Sequence, residues 1–191
     1  MAKISRAAVY CGSSSGTEPE YRNAATELGR ALARAGIGLV YGGAAIGLMG
    51  AVADAALSGG AEAIGVLPHV LSEEIAHTRL TSLERLPTMH ERKARMVELA
   101  DAFLILPGGY GTLDELMEVV TWAQLRIHDK PCILINVLHF WDPFLDFLDT
   151  TVQAGFVKPG NRSLMQVAPD ATTAVEMLRR LNGIPAPLVR K

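Results

Sequence analysis

The chain alternates short apolar runs with longer stretches in which apolar residues recur every third or fourth position. The runs Ala7 to Cys11, Gly38 to Tyr41, Glu62 to Leu67, Ala102 to Leu106, Cys132 to Asn136 and Ser163 to Val167 read as strands. Most are apolar at every position, as strands covered on both faces must be. The periodic stretches Pro19 to Ala35, Leu48 to Ser58, Met89 to Ala100, Leu113 to Arg126, Pro143 to Ala154 and Ala171 to Leu181 read as helices long enough to cross back over a sheet. This alternation predicts an α/β fold, an open parallel sheet of about six to seven strands with helices on both faces. Residues 1–182 are expected to form one domain. Residues 183–191, with Pro185 and Pro187 and no helical period, are expected to form a C-terminal tail.

Composition narrows the function. The 191 residues carry 18 Lys plus Arg and 20 Asp plus Glu, a net charge of -2, so no strong field exists to gather nucleic acid or an anionic membrane. Hydrophobic residues make up 49%, yet no run approaches the roughly 20 apolar residues of a membrane span, and Asp54 interrupts the Ala51 to Leu57 segment. A soluble protein is expected. The start, Met1 to Arg6, leads into a short apolar run and then Gly12-Ser13-Ser14-Ser15-Gly16, unlike a secretory signal or a presequence, so a cytoplasmic location is expected. Cys11 and Cys132 both lie in strand-like runs and read as buried free thiols. The histidines His69, His77, His90, His128 and His139 show neither HExxH spacing nor a Cys/His cluster, and no metal is expected.

Loops that follow parallel strands emerge along one edge, where ligands bind in open α/β folds. Glycines mark three of them: Gly12 to Gly16, Gly42-Gly43 with Gly47 and Gly50, and Pro107-Gly108-Gly109-Tyr110-Gly111. Small residues between strand and helix admit a phosphate to backbone N–H groups at the helix's positive end. Glycine is also common in tight βα turns, but three such loops on one edge favour an anion site, with Gly12, Ser13, Gly42 and Gly43 among its contacts. The sequence Gly42 to Gly47 is not GxGxxG and lacks the acidic residue that would hold an adenosine ribose, which disfavours a dinucleotide dehydrogenase. No Gly-Lys-Ser/Thr occurs, which excludes a P-loop NTPase.

Two helix starts carry chemistry. Thr112-Leu113-Asp114-Glu115 has the spacing of a capping box, with Thr112 as N-cap, and it also places a carboxylate beside a glycine-lined crevice. Thr88 to Glu91 repeats that spacing. In the helix after it, Arg92 and Lys93 share an inward stripe with Met89, Met96 and Ala100. Cations on an inward face need partners, either Glu or Asp side chains or a bound phosphate, for which Arg92 offers bidentate hydrogen bonds.

Taken together, Tyr10-Cys11-Gly12-Ser13-Ser14, Tyr41-Gly42-Gly43 with Gly47-Leu48-Met49-Gly50, Met89 to Met96 and Pro107 to Glu115 resemble the LOG family, as do Thr121-Trp122-Ala123-Gln124-Leu125 and Lys130-Pro131. Its members are cytokinin riboside 5′-monophosphate phosphoribohydrolases, often labelled lysine decarboxylases. The resemblance implies a Rossmann-like fold, usually a homodimer, that hydrolyses the N-glycosidic bond of a nucleoside 5′-monophosphate, releasing base and ribose 5-phosphate without a cofactor. By motif, Arg92 and Glu115 match the family's catalytic pair. Lys93, Gly108, Gly109, Tyr110, Gly111, Thr112, Leu113 and Asp114 match its nucleotide-contacting residues, and Glu74 and Thr121 further ligand contacts.

The residue chemistry is compatible with that reaction. Glycosidic cleavage builds oxocarbenium character on the ribose, which Glu115 would stabilise while orienting or deprotonating water. Arg92 stays protonated and would position phosphate or hydrogen-bond the departing base. Asp114 cannot share Glu115's task, because adjacent helix residues point about 100° apart. Where the family commonly has three glycines, this chain has Gly42-Gly43-Ala44, and a positive φ at Ala44 would strain it. Two rival readings are a nucleotide or cofactor carrier without turnover and a pyridoxal-phosphate decarboxylase using Lys93.

Overall fold

A computed structural model describes residues 3–71 and 73–181; the expected tail, residues 183–191, lies outside the described residues. Seven parallel strands form the sheet: β1 (Arg6–Tyr10), β2 (Gly38–Tyr41), β3 (Ala63–Pro68), β4 (Ser82–Leu86), β5 (Ala102–Ile105), β6 (Cys132–Ile135) and β7 (Met165–Ala168). They lie in the order β4-β3-β2-β1-β5-β6-β7. The helices are α1 (Pro19–Ala35), α2 (Gly47–Ser58), α3 (Met89–Leu99), α4 (Tyr110–Gln124), α5 (Asp142–Gln153), α6 (Pro159–Arg162) and α7 (Ala171–Leu181).

The apolar strands serve two cores because successive side chains alternate across the sheet. Ala7, Val9, Leu39, Tyr41, Leu104 and Ile133 pack on one face against Leu28 and Leu32 of α1, Val52 of α2 and Leu178 of α7. Ala8, Tyr10, Val40, Phe103, Ile105 and Leu134 pack on the other against Met96 of α3, Leu116 and Val119 of α4 and Leu148 of α5. Helices therefore cover both faces.

Strand β4 does not stand out as an apolar run. It is an edge strand, exposed or half-buried throughout, and its Glu84 is held by Arg95 of α3 at 2.7 and 3.1 Å. Among the described residues of the segment leading to it, 69–71 and 73–81, a 3₁₀ turn at Glu73–Ile75 stands in place of a crossover helix, so the strand-helix grammar is broken there.

The chain order reverses at β1, which pairs with β2 on one side and β5 on the other. The loops after β1 and β5 diverge from adjacent strand ends: the Gly12 N–H donates to the Pro107 carbonyl at 3.1 Å, and the Leu48 N–H donates to the Gly12 carbonyl at 3.1 Å. A crevice at such a reversal is where an open α/β sheet accepts a ligand. Among the described residues, no helix is long and apolar enough to cross a membrane.

Candidate active site

The entry of α3 is fixed by a complete capping box, in which Thr88 Oγ1 accepts from the Glu91 N–H at 3.2 Å and Glu91 Oε2 accepts from the Thr88 N–H at 3.1 Å. With the helix phase set, Arg92, Lys93, Met96 and Val97 are buried. The Arg92 Nε–H donates to the Val66 carbonyl at the end of β3 at 2.9 Å, and its Nη1 donates to Glu115 Oε1 at 2.8 Å. Side-chain exposure is 9% for Arg92 and 10% for Glu115, so water scarcely competes for this pair. Burial pushes the Glu115 carboxyl above its ordinary range, and Arg92 pulls it only part of the way back.

Gly42 provides the seat for that guanidinium. A Cβ there would stand 2.5 Å from Arg92 Nη2 and 2.9 Å from Met49 Sδ. Glycine at the end of β2 thus leaves the space that the guanidinium and the Met49 sulfur occupy, a role that anion binding alone does not supply. Ala44 carries no positive φ; it is buried in an antiparallel bridge with Ala76, so the strain expected at the third position of this loop is absent.

Lys93 turns to other partners. Its Nζ lies 2.9 Å from Asp114 Oδ2 and 3.2 Å from Glu118 Oε1. Burial disfavours its charge, but hydrogen bonds to both carboxylates outweigh that and raise its pKa. The ammonium is accordingly a poor Schiff-base nucleophile. Both inward cations of α3 have carboxylate partners on α4, as the alternative to a phosphate counter-charge required. Asp114 and Glu115 diverge onto different cations, in keeping with the helical rotation between neighbours.

Helix α4 starts at Tyr110, with Gly109 as N-cap and no side-chain cap. Thr112 is therefore inside the first turn, and the expected Thr112–Glu115 capping box does not form: Glu115 is spent on Arg92. Among the described residues, apart from chain neighbours and the backbone of α4 itself, no atom lies within 4 Å of where a Cβ would stand at Gly109 or Gly111. The protein's own packing does not demand glycine at either place, and a ligand can reach the helix's N-terminal N–H groups there. Gly108 differs, since the Thr112 side chain fills its Cβ position.

A cleft of about 250 Å³ joins these parts, walled by Cys11, Gly12, Ser13, Met49, Leu71, Met89, Arg92, Gly109, Tyr110, Gly111, Thr112, Asp114 and Glu115. Of the expected site residues, Glu74, Lys93, Gly42, Gly43, Gly108, Leu113 and Thr121 stand outside this wall. Glu74 is exposed on the 3₁₀ turn and Thr121 is exposed further along α4. Gly12, Ser13, Gly108 and Gly109 also line an adjoining pocket of about 260 Å³ with Tyr21 and Phe140. Sequence reasoning missed Cys11, Met49, Leu71 and Met89 as cleft walls. Met89 was legible as the first residue on the arginine's helix, whereas Leu71 carries no local signal. The Cys11 thiol is held well above its usual range by burial and by Glu115, so it remains protonated.

The model for a family described as "Possible lysine decarboxylase" matches residues 49–178. The cytokinin riboside 5′-monophosphate phosphoribohydrolase LOG of Oryza sativa subsp. japonica is 49% identical over 174 residues, covering 91% of this chain and 72% of that protein. The chain belongs to the LOG family. LOG1 of Arabidopsis thaliana, bearing the same enzyme name, is 47% identical over 177 residues, 92% of this LOG-family chain and 83% of LOG1. Among solved structures, the molybdenum cofactor carrier protein of Chlamydomonas reinhardtii aligns with a TM-score of 0.72 at 22% identity, covering 95% of this chain and 99% of that one. The molybdenum cofactor binding protein of Rippkaea orientalis aligns at 0.71 and 19%, with the same coverage. At that identity these two show a shared Rossmann-like fold alone.

Proposed function

We propose that this chain hydrolyses the N-glycosidic bond of an adenosine 5′-monophosphate, plain or N6-isopentenylated, releasing free base and ribose 5-phosphate. The observation that carries this reading is the buried Arg92–Glu115 pair in the wall of a cleft that ends at the uncapped start of α4. Relatives named for the same reaction support it.

In this reading the phosphate lies against the N–H groups of Gly109 to Thr112, with Gly12 and Ser13 across from it. The ribose then sits over Glu115, whose ionised form stabilises the oxocarbenium-like transition state and accepts a proton from the attacking water; the water's oxygen bonds to the ribose carbon as the C–N bond breaks, and the departing base nitrogen takes up one proton in return. Arg92 holds Glu115 in place and offers a hydrogen bond to the departing base. Asp114 and Lys93 shape the rim; Glu74 and Thr121 would reach the nucleotide only from outside the present wall. Residues 1–182 act as one nucleotide-binding unit, in a cytoplasmic homodimer. Exposed Met117 on α4, with Leu125 and Ile127 just beyond it, provides an apolar strip for a second copy, and light scattering on the purified chain tests that state.

The reaction is tested by chromatographic detection of free base from AMP and from N6-isopentenyladenosine monophosphate, with wild type and Glu115→Ala. Base release that disappears in the variant supports the hydrolase, and the ratio of rates defines the preferred base. Tight nucleotide binding with no release from either substrate would favour the carrier.

A further inference from the structure

Residues 69–71 and 73–81, between β3 and β4, form a strap. Because β3 and β4 are parallel, this segment must return from one end of the sheet to the other, and it does so without a crossover helix. Its first part passes over the ligand edge, where Leu71 is one wall of the cleft. Its second part is stitched to the glycine turn after β2: the Ala45 N–H donates to the Ile75 carbonyl at 2.8 Å, the His77 N–H donates to the Gly43 carbonyl at 2.9 Å, and Ala44 bridges Ala76.

His77 is a buried polar side chain of this segment, 6% exposed. Its Nδ1 accepts from the Arg79 N–H at 3.2 Å, which assigns the ring proton to Nε2. That nitrogen stands 3.2 Å from Asp54 Oδ1 on α2 and donates to it. The Arg79 guanidinium binds the same carboxylate. A single acid on α2 thus holds the strap at two side chains, just behind the turn that seats Arg92.

We propose that His77 is a positioning residue that fastens the strap to Asp54, sets Leu71 against the cleft and so sets nucleotide affinity without touching the nucleotide. The proposal rests on the reading of the cleft as a nucleoside monophosphate site. It separates two jobs of one imidazole. Asparagine places an amide oxygen where Nδ1 stands and keeps only the contact to Arg79; glutamine places an amide nitrogen where Nε2 stands and keeps only the reach to Asp54.

The test compares His77→Ala, His77→Asn and His77→Gln by steady-state base release from AMP and by hydrogen exchange. Loss of one hydrogen bond of ordinary strength should raise KM for AMP about 3- to 10-fold in the alanine and asparagine variants, with kcat within about two-fold of wild type. Glutamine should restore KM. Amide exchange across residues 73–78 should quicken in the alanine and asparagine variants and not in the glutamine one, with β1 and β5 unchanged in all three. Unchanged KM and unchanged exchange in His77→Ala overturn the proposal, as does a glutamine variant that behaves like alanine, or a fall in kcat at constant KM. If wild type releases no base, the hydrolase reading fails by itself. The dissociation constant for AMP, read by calorimetry across the same variants, together with the exchange pattern, then decides the strap.

Discussion

Arg92 and Lys93 are neighbours on α3, each 7% exposed, and each meets a neighbour on α4, Glu115 or Asp114. What separates them is the partner. The Glu115 side chain is 10% exposed, whereas Lys93 divides its charge between Asp114, 58% exposed, and Glu118, 20% exposed. A carboxylate that has lost its water feels the developing charge of a substrate at short range and low dielectric; one that keeps its water is screened. Burial of a cation alone does not therefore mark a catalytic site. The proposed chemistry is assigned instead to the buried anion opposite it, whose carboxyl burial holds above its ordinary range.

The contrast can be broken most severely at Arg92. Arg92→Ala leaves the Glu115 carboxylate buried without its cation and should destabilise the fold by about 3–5 kcal/mol at neutral pH. Part of that loss should be recovered in urea melts at lower pH, where Glu115 takes up a proton. Gly42→Ala tests the same arginine from below. The added methyl must displace the guanidinium, and a misplacement of about 1 Å should lower kcat about 10²-fold while the thermal midpoint moves little.

The pH dependence sharpens the comparison further. Folding raises the Glu115 pKa, so the native state holds that proton more tightly than the unfolded chain does. Its contribution to stability is present below the unfolded pKa and is lost as pH rises through the folded one. The proposed mechanism runs the other way, because it uses the ionised form: kcat for base release should fall with decreasing pH along a limb centred above the ordinary glutamate value of about 4.3. A profile flat down to that value would remove Glu115 from the reaction. The mildest effect belongs to Thr88→Ala, which opens the α3 capping box and should cost about 1 kcal/mol in denaturant melts, with KM unchanged.

Legibility in the sequence followed locality. The inward cations of α3, its capping box and the glycine loops at one edge were readable because each is a pattern within a few residues, and the parallel sheet was readable from strands apolar on both faces. Strand β4 was not, since an edge strand with Glu84 and Arg85 needs no apolar run and no crossover helix announces it. The true start of α4 was misread for a related reason: Thr112 and Glu115 have capping-box spacing, but the buried Arg92 competes for Glu115 and wins, and that competitor comes from 23 residues earlier. Leu71 and the service Gly42 gives to Arg92 depend on contacts between segments that only the folded chain brings together.

The sharpest division between the two α3 cations comes from single-turnover base release with Glu115→Gln and Asp114→Asn at saturating AMP. Glu115→Gln should lose about 10³-fold in rate, the scale of a lost preorganised charge, and Asp114→Asn should stay within about ten-fold of wild type. An asparagine at 114 as damaging as glutamine at 115, or a glutamine at 115 that still turns over, would contradict the assignment of the chemistry to the buried pair.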